Sequence, residues 1–177
     1  MSKLTARLDH LGVNTPSPES QASFYAGAMQ MRTTPLDDGG FMCEGRERRM
    51  AFTPGQANTL RYFALQLPSA QDLKTLRQRI AAAGVAIEPS PSPFFDDSAF
   101  SVIDPDGNRI VLGYDPQDRL RDAGLPARLQ HVAFGTTGID AMLAFYQNVL
   151  GLRVSDNVYA DDNSLRSCFL RAGTEHH

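Results

Sequence analysis

The sequence predicts an α+β fold built from repeated βαβββ units, on three observations. First, "LDHLGVNT" at 8–15 is similar to "LQHVAFGT" at 129–136: each is an apolar run of strand length with a histidine at its third position. Second, the similarity continues at a fixed offset. Phe24-Tyr25 follows His10 at the interval at which Phe145-Tyr146 follows His131, and Arg32 and Arg153 correspond in the same way. Third, the apolar spacing changes after each helical stretch from a helical period to strand-like runs.

The elements follow in order. The first strand covers 8–15, and a helix starts near Ser17, where Pro18 is tolerated in the first turn, and runs to Met29. A more degenerate middle copy opens with "LRYFALQL" at 60–67. Its helix carries Leu73, Leu76, Ile80 and Ala83 at spacings that form one apolar stripe, and Gly84 stands where a helix would stop. "AFSVIDPDGNRIVLGYD" reads as a hairpin, with strands near 99–103 and 109–114 flanking the turn residues Asp104 to Asn108. The last copy has a strand at 129–136, a helix from Ile139 to Leu150 stopped by Gly151, and strands near 152–159 and 165–171.

These elements divide the chain into a unit at 1–57, a second at 58–116 that pairs with it, a polar linker at 117–127 with Pro126, and a third unit at 128–177. The third unit is expected to be incomplete, because the sequence given stops where its fourth strand should begin. A partial sheet leaves an unpaired edge, so pairing with a second chain is expected, as a homodimer or a larger oligomer.

Composition narrows the function. Hydrophobic residues at 42% and charged residues at 21% describe an ordinary globular protein, and a net charge of −3 gives no ground to expect nucleic acid or an anionic membrane as partner. No apolar run approaches the roughly 20 residues of a membrane span, and "MSKLTARLDHLGV" contains no stretch of signal-peptide length. A cytoplasmic location is the expectation. Cys43 and Cys168 are too far apart in sequence to suggest a disulfide framework or a zinc motif. There is no Gly-x-Ser-x-Gly and no phosphate-binding glycine loop. Asp104 to Asn108 lacks the ligand spacing of a calcium loop and reads as a turn, "DDNS" at 161–164 reads as a solvated loop, and "SPSPFFDD" at 90–97 sets Phe94 and Phe95 beside prolines, either under a loop or lining a pocket or interface.

The repeat, the "DHLGV" and "QHVAF" openings, "FYQNVLGLR" at 145–153 and "DPDGNRI" together resemble the vicinal oxygen chelate superfamily, which includes glyoxalase I, bleomycin-resistance proteins and type I extradiol dioxygenases. The resemblance covers nearly the whole chain. It implies paired modules that curl a mixed sheet into a cup with flanking helices. In layout the chain most resembles the N-terminal part of a two-domain extradiol dioxygenase, in which modules one and two are metal-free and modules three and four hold Fe(II) through two histidines and a glutamate.

On that resemblance His10 and His131 match first-ligand positions in their units. In the first pair the second position falls on Tyr62 and the third on Val111, where "NRIV" replaces "NRIE". A histidine opening the last strand of module three handles protons in these enzymes, and "RAGTEHH" at 171–177 points to His177 first and His176 second. A histidine suits that work because its pKa lies near neutrality; a disordered terminus and the beginning of a purification tag are the other readings of the pair. The implied function is part of an Fe(II)-dependent extradiol dioxygenase cleaving catechol-like diols with dioxygen. The alternatives are a metal-free module that sequesters a small aromatic or drug-like ligand, and a glyoxalase-type metal lyase or isomerase.

Overall fold

The structure, a computed structural model, describes residues 3–116 and 128–173. The first unit comprises β1 (Arg7–Thr15), α1 (Pro18–Met29), β2 (Arg32–Pro35), β3 (Phe41–Gly45) and β4 (Arg48–Pro54). The second comprises β5 (Thr59–Gln66), α2 (Ala70–Ala82), β6 (Glu88–Pro89), β7 (Phe100–Ile103) and β8 (Arg109–Gly113). All eight strands form one mixed sheet in the order β2-β3-β4-β1-β5-β8-β7-β6. Within each unit the first strand lies parallel to the last, β1 to β4 and β5 to β8, and the two first strands meet antiparallel. The two halves are thus related by an approximate two-fold between β1 and β5, as a tandem repeat requires.

Local chemistry sets the element ends. Pro18 opens α1, whereas its C-terminus is closed by Gln30 in the left-handed region (φ 53) rather than by glycine. Ser69 caps α2 by accepting from the Asp72 N–H at 3.1 Å, while its own hydroxyl donates to the Asp72 carboxylate at 2.6 Å. Gly84 (φ +73) and Gly107 (φ +87) sit in the left-handed region at the end of α2 and in the β7–β8 turn. That turn is pinned by Asp104, whose Oδ1 accepts from the backbone N–H groups of Asp106 and Asn108 at 3.0 and 2.8 Å.

Alternation along β5 separates two apolar layers. Phe63 and Leu65 join Leu73, Leu76 and Ile80 of α2 in the main core on the helical face. Tyr62 and Ala64 point the other way and meet Val111 and Phe95 inside the concave face. Helix α1 covers the first half of the sheet through Ala22, with Met31, Cys43 and Phe52 buried beside it.

The third unit packs onto the helical face of the second. It consists of α3 (Ile139–Ala144), a π-helical continuation (Phe145–Leu150), β9 (Arg153–Tyr159) and β10 (Leu165–Arg171), the last two paired antiparallel as a separate sheet. Met142, Phe145, Tyr146 and Leu150 are buried in the main core, and the Arg79 guanidinium donates to the Val149 carbonyl at 3.0 Å and to that of Leu150. Backbone bonds from Leu4 N–H to Gly151 O (2.9 Å) and from Ala6 N–H to Ala172 O (3.0 Å) tie the unit to the N-terminal segment. The helix expected over 139–150 therefore forms, with a change of winding at Phe145.

The strand expected at 129–136 does not form. The segment has no strand pairing among the described residues, although Val132 and Phe134 still pack against the core. A strand needs a ladder partner for its backbone groups, and in the first unit β4 and β5 provide that on either side of β1. The linker lies outside the described residues.

Candidate functional site

The concave face of the first sheet holds a buried ionic cluster assembled from β1, β4 and the segments around 92 and 115. On β1 the pairing with β5 shifts register between Leu8 and His10. Such an irregularity re-aims side chains, and here the consecutive residues Asp9 and His10 are both buried, at 4% and 0% exposure. Arg49 on β4 is the ladder partner of His10. Its Nε donates to Asp9 Oδ2 at 3.0 Å, Nη2 donates to the same oxygen, and Nη1 donates to Asp115 Oδ2 at 3.2 Å. A guanidinium divided between two carboxylates is how a buried arginine avoids the desolvation penalty of a lone charge.

His10 extends the cluster. Its Nδ1 lies 2.6 Å from Asp9 Oδ2 and its Nε2 lies 2.7 Å from Ser92 Oγ. The network fixes the tautomer: the Asp9 carboxylate accepts from Nδ1–H, so Nε2 is left to accept the Ser92 hydroxyl proton. Ser92 Oγ in turn accepts from the Phe94 N–H at 3.1 Å. Burial holds the imidazole below its usual 6.5 against the pull of Asp9. Burial alone would raise the Asp9 carboxyl, but the hydrogen bond from His10 and the Arg49 charge outweigh it and hold the group below 3.8.

Aromatic rings close the cup over these charges. Phe94 and Phe95 lie 4.7 and 4.9 Å from the His10 ring, and Arg49 lies 5.0 and 5.7 Å from the same two centroids. Tyr62 meets His10 edge-on at 5.6 Å. Its hydroxyl is buried beside Ser92, and burial pushes its pKa up to about 12. Gly12 and Gly113 are required here, since a Cβ at either would run into the ring of Tyr62 or Phe95.

The three ligand positions implied by family resemblance in this pair thus come together as His10, Tyr62 and Val111. Val111 is apolar and both ring nitrogens of His10 are engaged, so neither nitrogen faces an ion. Asp9, Arg49, Ser92 and Asp115 are the members of the cluster that the sequence reading missed. The available signal was a charge embedded in each of two apolar strands, "LDHLGV" and "RRMAFT", because a buried charge demands a partner.

His131 is exposed on the extended segment of the third unit, while its neighbour Val132 turns inward. Phe134 stacks on Phe63 at 5.4 Å and Leu129 N–H bonds to Glu47 O at 3.2 Å, so the segment is held at both ends. His176 and His177 lie outside the described residues. Among the described residues no group of three His, Cys, Asp or Glu side chains is placed to hold a metal ion, and no helix is long and apolar enough to cross a membrane.

Comparison with known proteins gives the arrangement a context. Metapyrocatechase 2 of Cupriavidus necator is 28% identical over 149 residues, covering 71% of this chain. An iron-dependent extradiol dioxygenase of Rhodococcus jostii is 28% identical over 127 residues, covering 62% of it. The chain spans only 45% and 41% of the lengths of these two relatives. The crystal structure of a Mn(II)-bound glyoxalase from Novosphingobium aromaticivorans superposes with a TM-score of 0.79 at 20% identity, over 97% of this chain and 59% of that one. At that identity the likeness is one of fold, and one fold hosts several chemistries. The model of the glyoxalase/bleomycin resistance protein/dioxygenase superfamily matches residues 7–112 and 128–177, and the chain belongs to that family.

Proposed function

We propose that this chain supplies the metal-free first domain and the third module of an extradiol-type dioxygenase that opens catechol-like aromatic diols with dioxygen. The observation that carries the reading is the contrast between the two matching histidines. His10 is sealed in the first cup by Asp9 and Ser92, whereas His131, at the corresponding place in the third unit, is exposed. The relatives named metapyrocatechase and iron-dependent extradiol dioxygenase support the same class of reaction.

The described residues do not by themselves fit an iron centre, because the remaining ligands of a two-histidine, one-carboxylate site are not among them. In this reading His131 gives one ligand to Fe(II), and His177, or His176 in its place, holds and returns a proton. The first pair contributes position: Phe63 and Glu47 fix the two ends of the segment that carries His131. A second copy of the chain, in a homodimer, covers Val158, Tyr159 and Phe169 of the third unit, which are 43%, 58% and 43% exposed.

The test is oxygen consumption by the protein at the full length its gene encodes, reconstituted anaerobically with Fe(II) and given catechol. Catechol-dependent uptake that His131→Ala abolishes is the expected result. Absence of uptake, or uptake equal in the variant, overturns the proposal.

A further inference from the structure

We propose that the end of the first cup away from His10 binds a small aromatic carboxylate, held by the guanidinium of Arg61. The ladder between β1 and β5 shifts register twice. Each shift leaves one residue without a direct partner, so two consecutive side chains turn to the same face. On β1 these are Asp9 and His10. On β5 they are Arg61 and Tyr62, since Tyr62 pairs with Gly12 whereas Leu60 already pairs with Val13. The approximate two-fold between the strands thus delivers one charge and one ring to the concave face from each of them.

The two charges are met differently. Asp9 is paired with Arg49. Arg61 meets a neutral group: its Nη1 donates to the Thr53 hydroxyl at 2.7 Å, and among the described residues no carboxylate pairs with it. Thr53 is on β4, beyond β1 in the sheet, so the Arg61 side chain crosses β1 on the concave face. It passes between the Tyr62 ring, which lies over Gly12, and the rung formed by Asn14 and Thr53. With Nη1 engaged, Nε and Nη2 remain as a fork whose spacing matches the two oxygens of a carboxylate. A half-buried guanidinium has given up part of its hydration, and one hydroxyl does not replace it. An anion from outside is the partner that does.

This end of the face is open to solvent. Phe94 and Phe95 cover the other end, against His10 and Arg49. Around the fork Asn14, Met42, Thr59 and Arg61 itself are all partly exposed. Asn14 donates to the Thr59 hydroxyl at 3.1 Å, which fixes the polar rim. Met42 is the ladder partner of Ala51, which pairs with Gly12, so its thioether lies on the same face. One cation suits a monoanion, and a thioether beside it suits a flat aromatic body. None of these residues belongs to the iron reading, so the two proposals stand or fall separately.

The experiment is titration with benzoate at low salt, followed by backbone amide NMR, with benzamide as the neutral isostere. Saturable shifts centred on Asn14, Thr53 and Arg61 are expected, with a Kd of about 1 mM, within reach of one bidentate ion pair. Benzamide in place of benzoate, or Arg61→Gln, weakens binding by about tenfold or more. Arg32→Gln leaves it unchanged, because Arg32 already pairs with Glu44. If Arg61→Gln does not fold, the benzoate-to-benzamide ratio and the location of the shifts decide. Equal binding of benzamide, shifts centred elsewhere, no saturation, or undiminished binding in folded Arg61→Gln overturns the proposal and leaves Arg61 as a solvated strut on Thr53.

Discussion

The Tyr146 hydroxyl donates to Asp104 Oδ2 at 2.8 Å and so joins the helix of the third unit to the hairpin turn of the second. Asp104 is 4% exposed and already serves the turn through its other oxygen, so one buried carboxylate supports two units at once. Burial, together with the nearby Asp104 carboxylate, pushes the Tyr146 pKa far above its usual value and keeps the phenol a donor. Tyr146→Phe is expected to cost about 1.5–3 kcal/mol, the range for a hydrogen bond to a charged group. Urea denaturation checks this, and a loss below about 0.5 kcal/mol would show that the contact does not couple the units.

Arg79 acts on the same boundary. Its guanidinium meets the carbonyls of Val149 and Leu150 at the end of the π-helical turn, where backbone acceptors lack partners of their own. Arg79→Met keeps the apolar stem and removes the donors. The expected outcome is faster amide hydrogen exchange across 145–152 and a stability loss of about 1–2 kcal/mol, with the first sheet unaffected.

Tyr62→Phe has the opposite sign. The hydroxyl is buried, and Ser92 beside it is already engaged by His10 and the Phe94 N–H, so removing the hydroxyl gives up little and opens no cavity. Stability should be unchanged or higher by about 1 kcal/mol. A clear loss would mean that the hydroxyl has a partner in solution.

Acid should loosen the first cup in two stages. The folded-state pKa of His10 is depressed below 6.5, so between that value and the lower folded one the unfolded chain binds the extra proton. The stability that neutral His10 provides is therefore present above 6.5 and lost as pH falls toward its folded pKa. Asp9 is depressed below 3.8, so its contribution is lost only at still lower pH, as the folded carboxyl protonates. His10→Gln should flatten the first stage and leave the second, read as denaturation midpoints across pH. An unchanged slope in the variant would place the titration elsewhere.

Much of the fold was legible because its signals are local. The repeated openings, the stripe Leu73, Leu76, Ile80 and the Asp104 to Asn108 turn lie within single elements, where period and turn chemistry decide the outcome. The buried cluster was not legible, because Arg49 reaches Asp9 through ladder register and Ser92 reaches His10 across a long loop. In "SPSPFFDD" the aromatic pair stands out from its surroundings, whereas the serine between the prolines, which makes the contact to His10, carries no local signal. The segment 129–136 shows the reverse failure: it has the composition of a strand, but strand formation depends on a partner that no local pattern encodes.

The most direct test of the proposed division, a sealed first cup against a third unit that supplies a metal ligand, is iron content. The protein at the full length its gene encodes would be purified anaerobically and compared with His131→Ala and His10→Gln. Iron in the wild type, lost in His131→Ala and kept in folded His10→Gln, is the pattern expected from where the two histidines sit. Iron retained without His131, or lost with folded His10→Gln, would place the metal in the first cup and contradict the division.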